Sequence, residues 1–332
     1  MSANSVQELL AEIKAHPDGT DLLLTAFYTA AHHYRRSTIC TPFPTEVFPP
    51  PNGTADKDFP ALHRALDALP PVHSLLGGED VFSCLPPSAL ALLKWLLLNP
   101  ARRRRFSLTP LGDMVRQLRQ RCGGGSGGGG GDGAWQLPAL DGHNSPACIL
   151  RALDGSAQAP FARSCIAYHG THLENLHSII HTGLQSMSGT RLQRTGANYG
   201  AGIYLSTNYD TAFSFCQPCA SWPRSRFGTK LRALLVCEVD LDKSTTERGG
   251  TGGSAGFAPA SSSGAVSAAP LPDTYLVVQR ADAVRLLYVL LYCDASRTAR
   301  PARVHWCTVM VVLYAAFLLG KALLAALKQH RY

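Results

Sequence analysis

Three short segments collect the side chains best suited to chemistry. The first is Tyr168-His169-Gly170-Thr171, placed between a short apolar run and a helical pattern. The second is Tyr199-Gly200-Ala201-Gly202-Ile203-Tyr204-Leu205-Ser206, and the third is Asp273-Thr274-Tyr275-Leu276-Val277-Val278, with Tyr288 thirteen residues beyond Tyr275. An imidazole can donate or accept a hydrogen bond. Each segment alone has a plain reading: a histidine at a strand end is commonly a surface or satisfied core residue, Gly-x-Gly a tight turn, and a strand tyrosine a packing residue. Their order and spacing together single them out. Metal chemistry has less support. Cys216-Gln217-Pro218-Cys219 has ligand-like spacing, but a zinc site needs a second pair nearby and none is visible. No His/Glu/Asp cluster has helical ligand spacing, so a metal-dependent hydrolase is set aside and no metal ligand is assigned.

The elements that must position these residues fall into two stretches. The first hundred residues read as helices. Residues 21–34 carry apolar side chains at helical spacing, with Thr20 or Asp21 as cap; further helices are expected at 59–69, 88–98 and 109–121. Residues 123–133 are almost pure glycine, with no side chains to bury and maximal backbone entropy to lose, and read as a flexible linker. From 134 the pattern turns to strands: 165–168, 203–205, 231–239, 275–278 and 284–292 are short, apolar and rich in β-branched or aromatic residues. A helix is expected over 173–181, with Leu173, Leu176, Ile179 and Ile180 on one face and Gly183 as its stop. A short helix is expected at 210–215, and residues 249–270, rich in Gly, Ser and Ala, read as a disordered insertion.

The three segments in this order resemble the poly(ADP-ribose) polymerase superfamily, whose catalytic domains begin with a strand ending in His-Gly and carry a Gly-x-Gly-x-Tyr turn downstream. The runs YHGTHLENLHSIIHTGL, GAGIYLS and YLVV, with an apolar tail, resemble its small tail-anchored subfamily of endoplasmic-reticulum mono-ADP-ribosyltransferases. The resemblance covers residues 20–110 loosely and 160–320 well. It implies an α+β fold: an all-helical domain at 1–122 with a regulatory role, the linker at 123–133, and an ADP-ribosyltransferase catalytic domain at 134–296 with two antiparallel sheets around an NAD cleft. A transmembrane helix at 304–327 completes the chain. The resemblance assigns His169, Tyr204 and Tyr275 as catalytic and His169, Gly170, Thr171, Tyr204 and Phe215 as the residues that bind NAD, here a substrate. His169 would hydrogen-bond NAD ribose hydroxyls. The Gly170 backbone would pair with the nicotinamide amide, where a side chain would block the approach. Tyr204 would form an aromatic wall. Phe215 falls where relatives have a second stacking tyrosine, and Ala212 where many place a serine that bonds the carboxamide. Tyr275 falls where polymerising members carry a glutamate; a phenol with pKa near 10 is no anionic acceptor at pH 7, so a single ADP-ribose unit is expected on each acceptor. Protein acceptors, the chain itself among them, are the implied partners. The competing reading is a degenerate domain that binds NAD poorly and acts as a tethered interaction module.

Composition adds the remaining bounds. The chain has 332 residues, 45% hydrophobic, with a net charge of +8 partly gathered in Arg102-Arg103-Arg104-Arg105. That run reads as a solvated loop or as an attraction to anionic lipid. No basic stripe interleaved with aromatics argues for nucleic-acid binding. The 10 cysteines stand mostly alone within apolar runs, as buried thiols of a reducing compartment do. No signal peptide is visible at the N-terminus. Residues 304–327 are long and apolar enough to span a bilayer, which takes about 20 residues. His305 and Trp306 suit an interface, and Lys321 near the far end can snorkel. The plainer reading is a buried core helix, but residues 309–320 show no polar stripe. A tail of this kind inserts after translation and leaves the catalytic domain cytosolic. The resemblance points to the endoplasmic reticulum or nuclear envelope, although basic residues after the helix also suit mitochondria. Asn52-Gly53-Thr54 is a glycosylation sequon that a cytosolic domain would never present to the glycosylation machinery.

Overall fold

A computed structural model of the chain describes residues 3–51, 56–123, 145–186, 201–243 and 274–293. The glycine-rich stretch beyond residue 123, the insertion at 249–270, the sequon, Tyr199-Gly200 and the tail at 304–327 lie outside the described residues. Among those described, no helix is long and apolar enough to cross a membrane.

The N-terminal region is helical: α1 (Ala3–Ala15), α2 (Pro17–His32), α3 (Arg36–Ile39), α4 (Phe59–Asp67), α5 (Val72–Leu75), α6 (Asp80–Ser83) and α7 (Pro87–Leu97). Helix α2 is its centre, because Leu22, Leu23, Leu24, Ala26, Phe27, Ala30 and Ala31 leave no exposed apolar face. It begins a turn earlier than expected. Pro17 occupies the first turn, where its fixed φ suits a helix start and its missing N–H costs nothing. Thr20 and Asp21 therefore lie inside the helix and cap nothing. The Thr20 hydroxyl bonds back to His16 O at 2.9 Å. Helix α4 starts as its sequence suggests, with Asp58 Oδ1 accepting from Ala61 N at 2.9 Å.

The rest is built on strands: β1 (Phe106–Leu108), helix α8 (Leu111–Gly123), β2 (Cys148–Ala152), α9 (Leu153–Ala157), β3 (Ser164–Thr171), α10 (Leu176–Thr182), β4 (Ile203–Ser206), α11 (Tyr209–Phe213), β5 (Cys219–Ala220), β6 (Lys230–Asp240), β7 (Tyr275–Val278) and β8 (Val284–Cys293). A 3-10 turn at Leu173–Asn175 leads into α10, which Gly183 ends at φ 78°. The strands form one path, β1-β2-β8-β6-β3-β4-β7, with β5 added on β6; every pairing is antiparallel.

This arrangement corrects the expectation of two separate sheets. Strand β3 pairs with β6 from Ser164↔Asp240 to Thr171↔Ala233, but it meets β4 at the single pair Tyr168↔Ser206. One sheet therefore runs through the molecule and parts at that point. Residues 106–108, counted with the helical domain from sequence, join the sheet: Phe106, Ser107 and Leu108 pair with Ala152, Arg151 and Leu150. A three-residue strand is too short for periodicity to reveal.

Strand β6 is buried on both faces. Leu231, Ala233, Leu235, Cys237 and Val239 join the core shared with the helical region. Leu234 and Val236 join a second core with Met114 and Leu118 of α8, Tyr168, Tyr209, Tyr288 and Tyr292. Each fully buried Leu or Val contributes about 1.5–3 kcal/mol of transfer free energy. Within the second core Glu238 is fully buried. Its carboxylate accepts from Arg121 Nη1 at 2.7 Å, Arg285 Nη1 at 3.0 Å, Phe161 N at 3.1 Å and Ser164 Oγ at 3.2 Å, tying α8 to the sheet.

Specific bonds also join the helical region to the sheet, within one unit spanning Met1–Asp294. The buried Asp21 carboxylate accepts from Ser225 Oγ and from Arg226 N, on the loop before β6. His177 of α10 stacks on Phe27 at 4.5 Å, and its Nε2 bonds Pro42 O at 2.9 Å. The arginine run is neither a solvated loop nor a free basic patch. Arg102 pairs with Glu46 over the Trp95 ring, Arg103 and Arg105 pair with Glu12, and Arg104 donates to Ile180 O and His181 O at the end of α10.

Candidate active site

The seam where β3 and β4 part is where the motif residues meet. His169, Gly170 and Thr171 end β3 just past the Tyr168↔Ser206 pair. Tyr204 lies on β4 opposite Val277 of β7, and Tyr275 of β7 lies opposite Ser206. Side chains alternate across a strand and register partners share a face. Tyr204, Ser206, Tyr275 and Val277 therefore stand on one face of the β4–β7 limb, while Leu205, Leu276 and Val278 turn into the main core.

His169 bridges the seam. Its Nδ1 lies 2.8 Å from Tyr204 O, so Nδ1–H is the donor and Nε2 is left as an acceptor. Burial lowers the imidazole pKa below its usual value, partly offset by the Tyr204 carbonyl. The ring is therefore neutral at pH 7, the state that can accept from a hydroxyl. Thr171 is buried, and its hydroxyl receives Asn175 Nδ2 at 3.4 Å.

Gly170 lies under α11. A Cβ on it would fall 1.9 Å from Ala212 O and 2.9 Å from Phe215 Cβ. Glycine is needed here for packing alone, before any ligand is considered. Gly202 is similar: a Cβ there would meet Val277 Cγ1 at 2.6 Å and Val278 O at 3.1 Å. Ala212 is buried, whereas Phe215 is 41% exposed. A large apolar ring left in solvent beside a glycine edge is a ready stacking wall for a flat ligand.

Helix α11 has only five residues, and such a helix forms only with outside support. Asn208 Oδ1 caps it by accepting from Thr211 N at 2.9 Å. Tyr209 lies edge-on to Tyr168 and stacks on Phe213, and its hydroxyl donates to the Tyr292 hydroxyl at 2.9 Å. Burial pushes the Tyr209 phenol up to about 12 and Tyr292 higher still, so both stay protonated. Sequence reading missed this pair, since nothing in the spacing of residues 209 and 292 links them.

The other singled-out residues separate from this cluster. The Tyr288 hydroxyl donates to Gln117 Oε1 at 2.6 Å inside the second core, so that tyrosine packs. Cys216 is buried, its thiol raised by burial to about 12, and Cys219 Sγ bonds its neighbour's carbonyl, Ala220 O. Among the described residues no group of three or more His, Cys, Asp or Glu is placed to hold a metal ion.

Two family models match the chain. The family model of the poly(ADP-ribose) polymerase catalytic domain matches residues 156–248, which contain His169, Gly170, Tyr204 and Phe215. That of the ARTD15 N-terminal domain matches residues 11–97, the helical region. The chain is similar to human protein mono-ADP-ribosyltransferase PARP16, with 26% identity over 90% of this chain and 88% of that protein. The mouse protein of the same name is 25% identical over the same shares. Mouse protein mono-ADP-ribosyltransferase PARP8 is 27% identical over 63% of this chain but only 24% of its own length. Residues 156–248 thus match the poly(ADP-ribose) polymerase catalytic domain, which uses NAD as its substrate, and the chain is an NAD-dependent ADP-ribosyltransferase.

Proposed function

We propose that the chain transfers a single ADP-ribose unit from NAD to protein side chains, its own included, and that it does so at the seam between β3 and β4. The observation that carries the site is the bond from His169 Nδ1 to Tyr204 O, which joins two motif residues across the parted strands. In this reading neutral His169 accepts a ribose hydroxyl at Nε2, the Gly170 backbone meets the carboxamide, and Tyr204 and Phe215 flank the nicotinamide ring. Thr171 completes the floor.

The reaction breaks the bond between the ribose anomeric carbon and nicotinamide nitrogen, and nicotinamide leaves with the bonding electrons. The acceptor side chain forms the new bond to that carbon and gives up its proton to water. The transition state carries cationic character on the sugar, so holding donor and acceptor in line is the main contribution the protein can make. Tyr275 supports single-unit transfer: by resemblance it takes the position where polymerising relatives carry a carboxylate, so the chain lacks that carboxylate there. The names of the full-length relatives, both mono-ADP-ribosyltransferases, support the same reading.

The reading extends to the rest of the chain. Residues 304–327 anchor it in the endoplasmic-reticulum or nuclear-envelope membrane, with the catalytic domain in the cytosol. The helical region regulates the cleft, supported by its bonds to α10 and to the loop before β6. Mass spectrometry of the purified chain after incubation with NAD tests the activity. Single ADP-ribose increments that vanish in His169→Ala are expected. Polymer would refute single-unit transfer, and nicotinamide-site binding without any adduct would favour a tethered binding module. Deleting residues 304–332 should release the protein from membranes; retention would place the anchor elsewhere.

A further inference from the structure

Helix α11 carries the wall that faces Gly170, yet it is too short to hold its own position. Its outer end is capped by Asn208. Its inner side rests on two residues that stand side by side on neighbouring strands, Arg232 of β6 and Tyr292 of β8, which are direct register partners. The Tyr292 hydroxyl receives the Tyr209 hydroxyl at 2.9 Å, at the first residue of α11. Arg232 Nη1 donates to Cys216 O at 3.1 Å, just beyond the last turn, and its guanidinium lies 5.8 Å from the Phe213 ring centroid. Phe213 in turn stacks on Tyr209 at 5.4 Å and meets Tyr292 edge-on at 4.8 Å. One strut thus grips α11 at both ends. Phe215 and Ala212, the two residues that close on Gly170, lie between its grips.

We infer that Arg232 and Tyr292 are positioning residues that set the height of the Phe215 wall over Gly170, and so set affinity for the nicotinamide half of NAD. The inference rests on the site proposed above. Neither residue touches the ligand; both act through α11. The strut belongs to the rigid part of the sheet, β6 and β8, and not to the β4–β7 limb. It therefore governs one wall of the cleft and leaves the His169–Tyr204 bridge alone. A lost hydroxyl or guanidinium lets α11 shift, loosening the grip on a flat ring without removing any group that meets the ribose.

The test compares Tyr292→Phe and Arg232→Met with Tyr288→Phe in the full chain. Tyr288 lies on the same strand and also spends its hydroxyl on a side chain, Gln117, but has no contact with α11 among the bonds described. Calorimetry with nicotinamide and, separately, with ADP-ribose gives the two halves of donor affinity; steady-state labelling gives KM and kcat. For Tyr292→Phe and Arg232→Met we expect nicotinamide affinity to fall and KM for NAD to rise about five-fold, with ADP-ribose affinity and kcat within about two-fold of wild type. Tyr288→Phe should leave both affinities unchanged. Because the two residues act as one strut, the double variant should weaken nicotinamide by less than the product of the single effects. A lowered melting temperature with unchanged nicotinamide affinity in both variants would reduce the strut to packing and overturn the inference, while the site itself stands. Equal loss of nicotinamide and ADP-ribose affinity would also overturn it. Wild-type protein that binds neither probe, or that keeps its activity in His169→Ala, would remove the proposed site and the strut's role with it.

Discussion

The two sides of the seam differ in how they are held. On one side β1, β2, β8, β6 and β3 pair continuously, β6 is buried on both faces, and Glu238 is gripped by two arginines. On the other, β4 and β7 form a four-residue ladder joined to the rest through one residue pair. The frame carries His169, Gly170 and Thr171; the limb carries Tyr204 and Tyr275. A continuous ladder would spend its backbone groups on itself, whereas parted strands leave an edge open to a ligand. In the proposed site the chemistry would sit where the sheet is least complete, with a rigid frame to aim it.

Breaking the bridge between the sides should have the largest effect. His169→Ala should lower NAD-dependent labelling by at least about a hundred-fold, the usual cost of losing an essential group, while the melting temperature stays near wild type. Retained labelling would mean the two sides need not be linked for catalysis.

Breaking the frame should cost stability. Glu238→Ala leaves the partly buried Arg121 and Arg285 without their carboxylate and should destabilise the fold by about 3 kcal/mol in urea titration. A loss below about 1 kcal/mol would show that the frame does not depend on this ion cluster.

Acid should act on the junction between frame and helical region. Burial lowers His177 from 6.5 to about 4, outweighing the Pro42 carbonyl that favours the charged ring. Below pH 6.5 the unfolded chain binds a proton that the folded chain refuses, so stability is full above 6.5 and falls towards pH 4. The loss is roughly 3 kcal/mol at about 1.36 kcal/mol per pH unit. Urea midpoints measured across this window should show the slope, and His177→Gln should flatten it; an unaltered slope would place the acid sensitivity elsewhere.

The smallest effect sharpens the contrast at the wall. Gly170→Ala forces a methyl against Ala212 O and should destabilise by about 1–3 kcal/mol while lowering activity. Gly202→Ala meets the Val277 methyl Cγ1 at 2.6 Å, a less severe overlap than the 1.9 Å from Ala212 O at Gly170, and should cost less. Equal costs in denaturant would show that the wall over Gly170 yields as easily as a side chain.

Several parts of this architecture could be read directly along the chain. The strands at 203–206, 230–240, 275–278 and 284–293 announce themselves because apolar and β-branched residues run through them. The stop at Gly183 follows from the positive φ that glycine permits. The motif residues were legible from their order alone. Other assignments misled because a distant partner decided them. Asp21 looks like a helix cap and is instead a buried acceptor for a loop some two hundred residues away. The four arginines look solvated and are instead paired with Glu12, Glu46 and the end of α10.

By itself, then, the sequence determined most of the longer helices and strands and which residue types gather in the motifs, because local periodicity and backbone preference are written residue by residue. Tertiary structure alone decided that the strands form one sheet parted at Tyr168↔Ser206, that His169 reaches the Tyr204 carbonyl, and that Arg232 and Tyr292 support the helix above Gly170. Those outcomes depend on register and on contacts between residues far apart in the chain, where only the packed core chooses among pairings that the sequence leaves equally open.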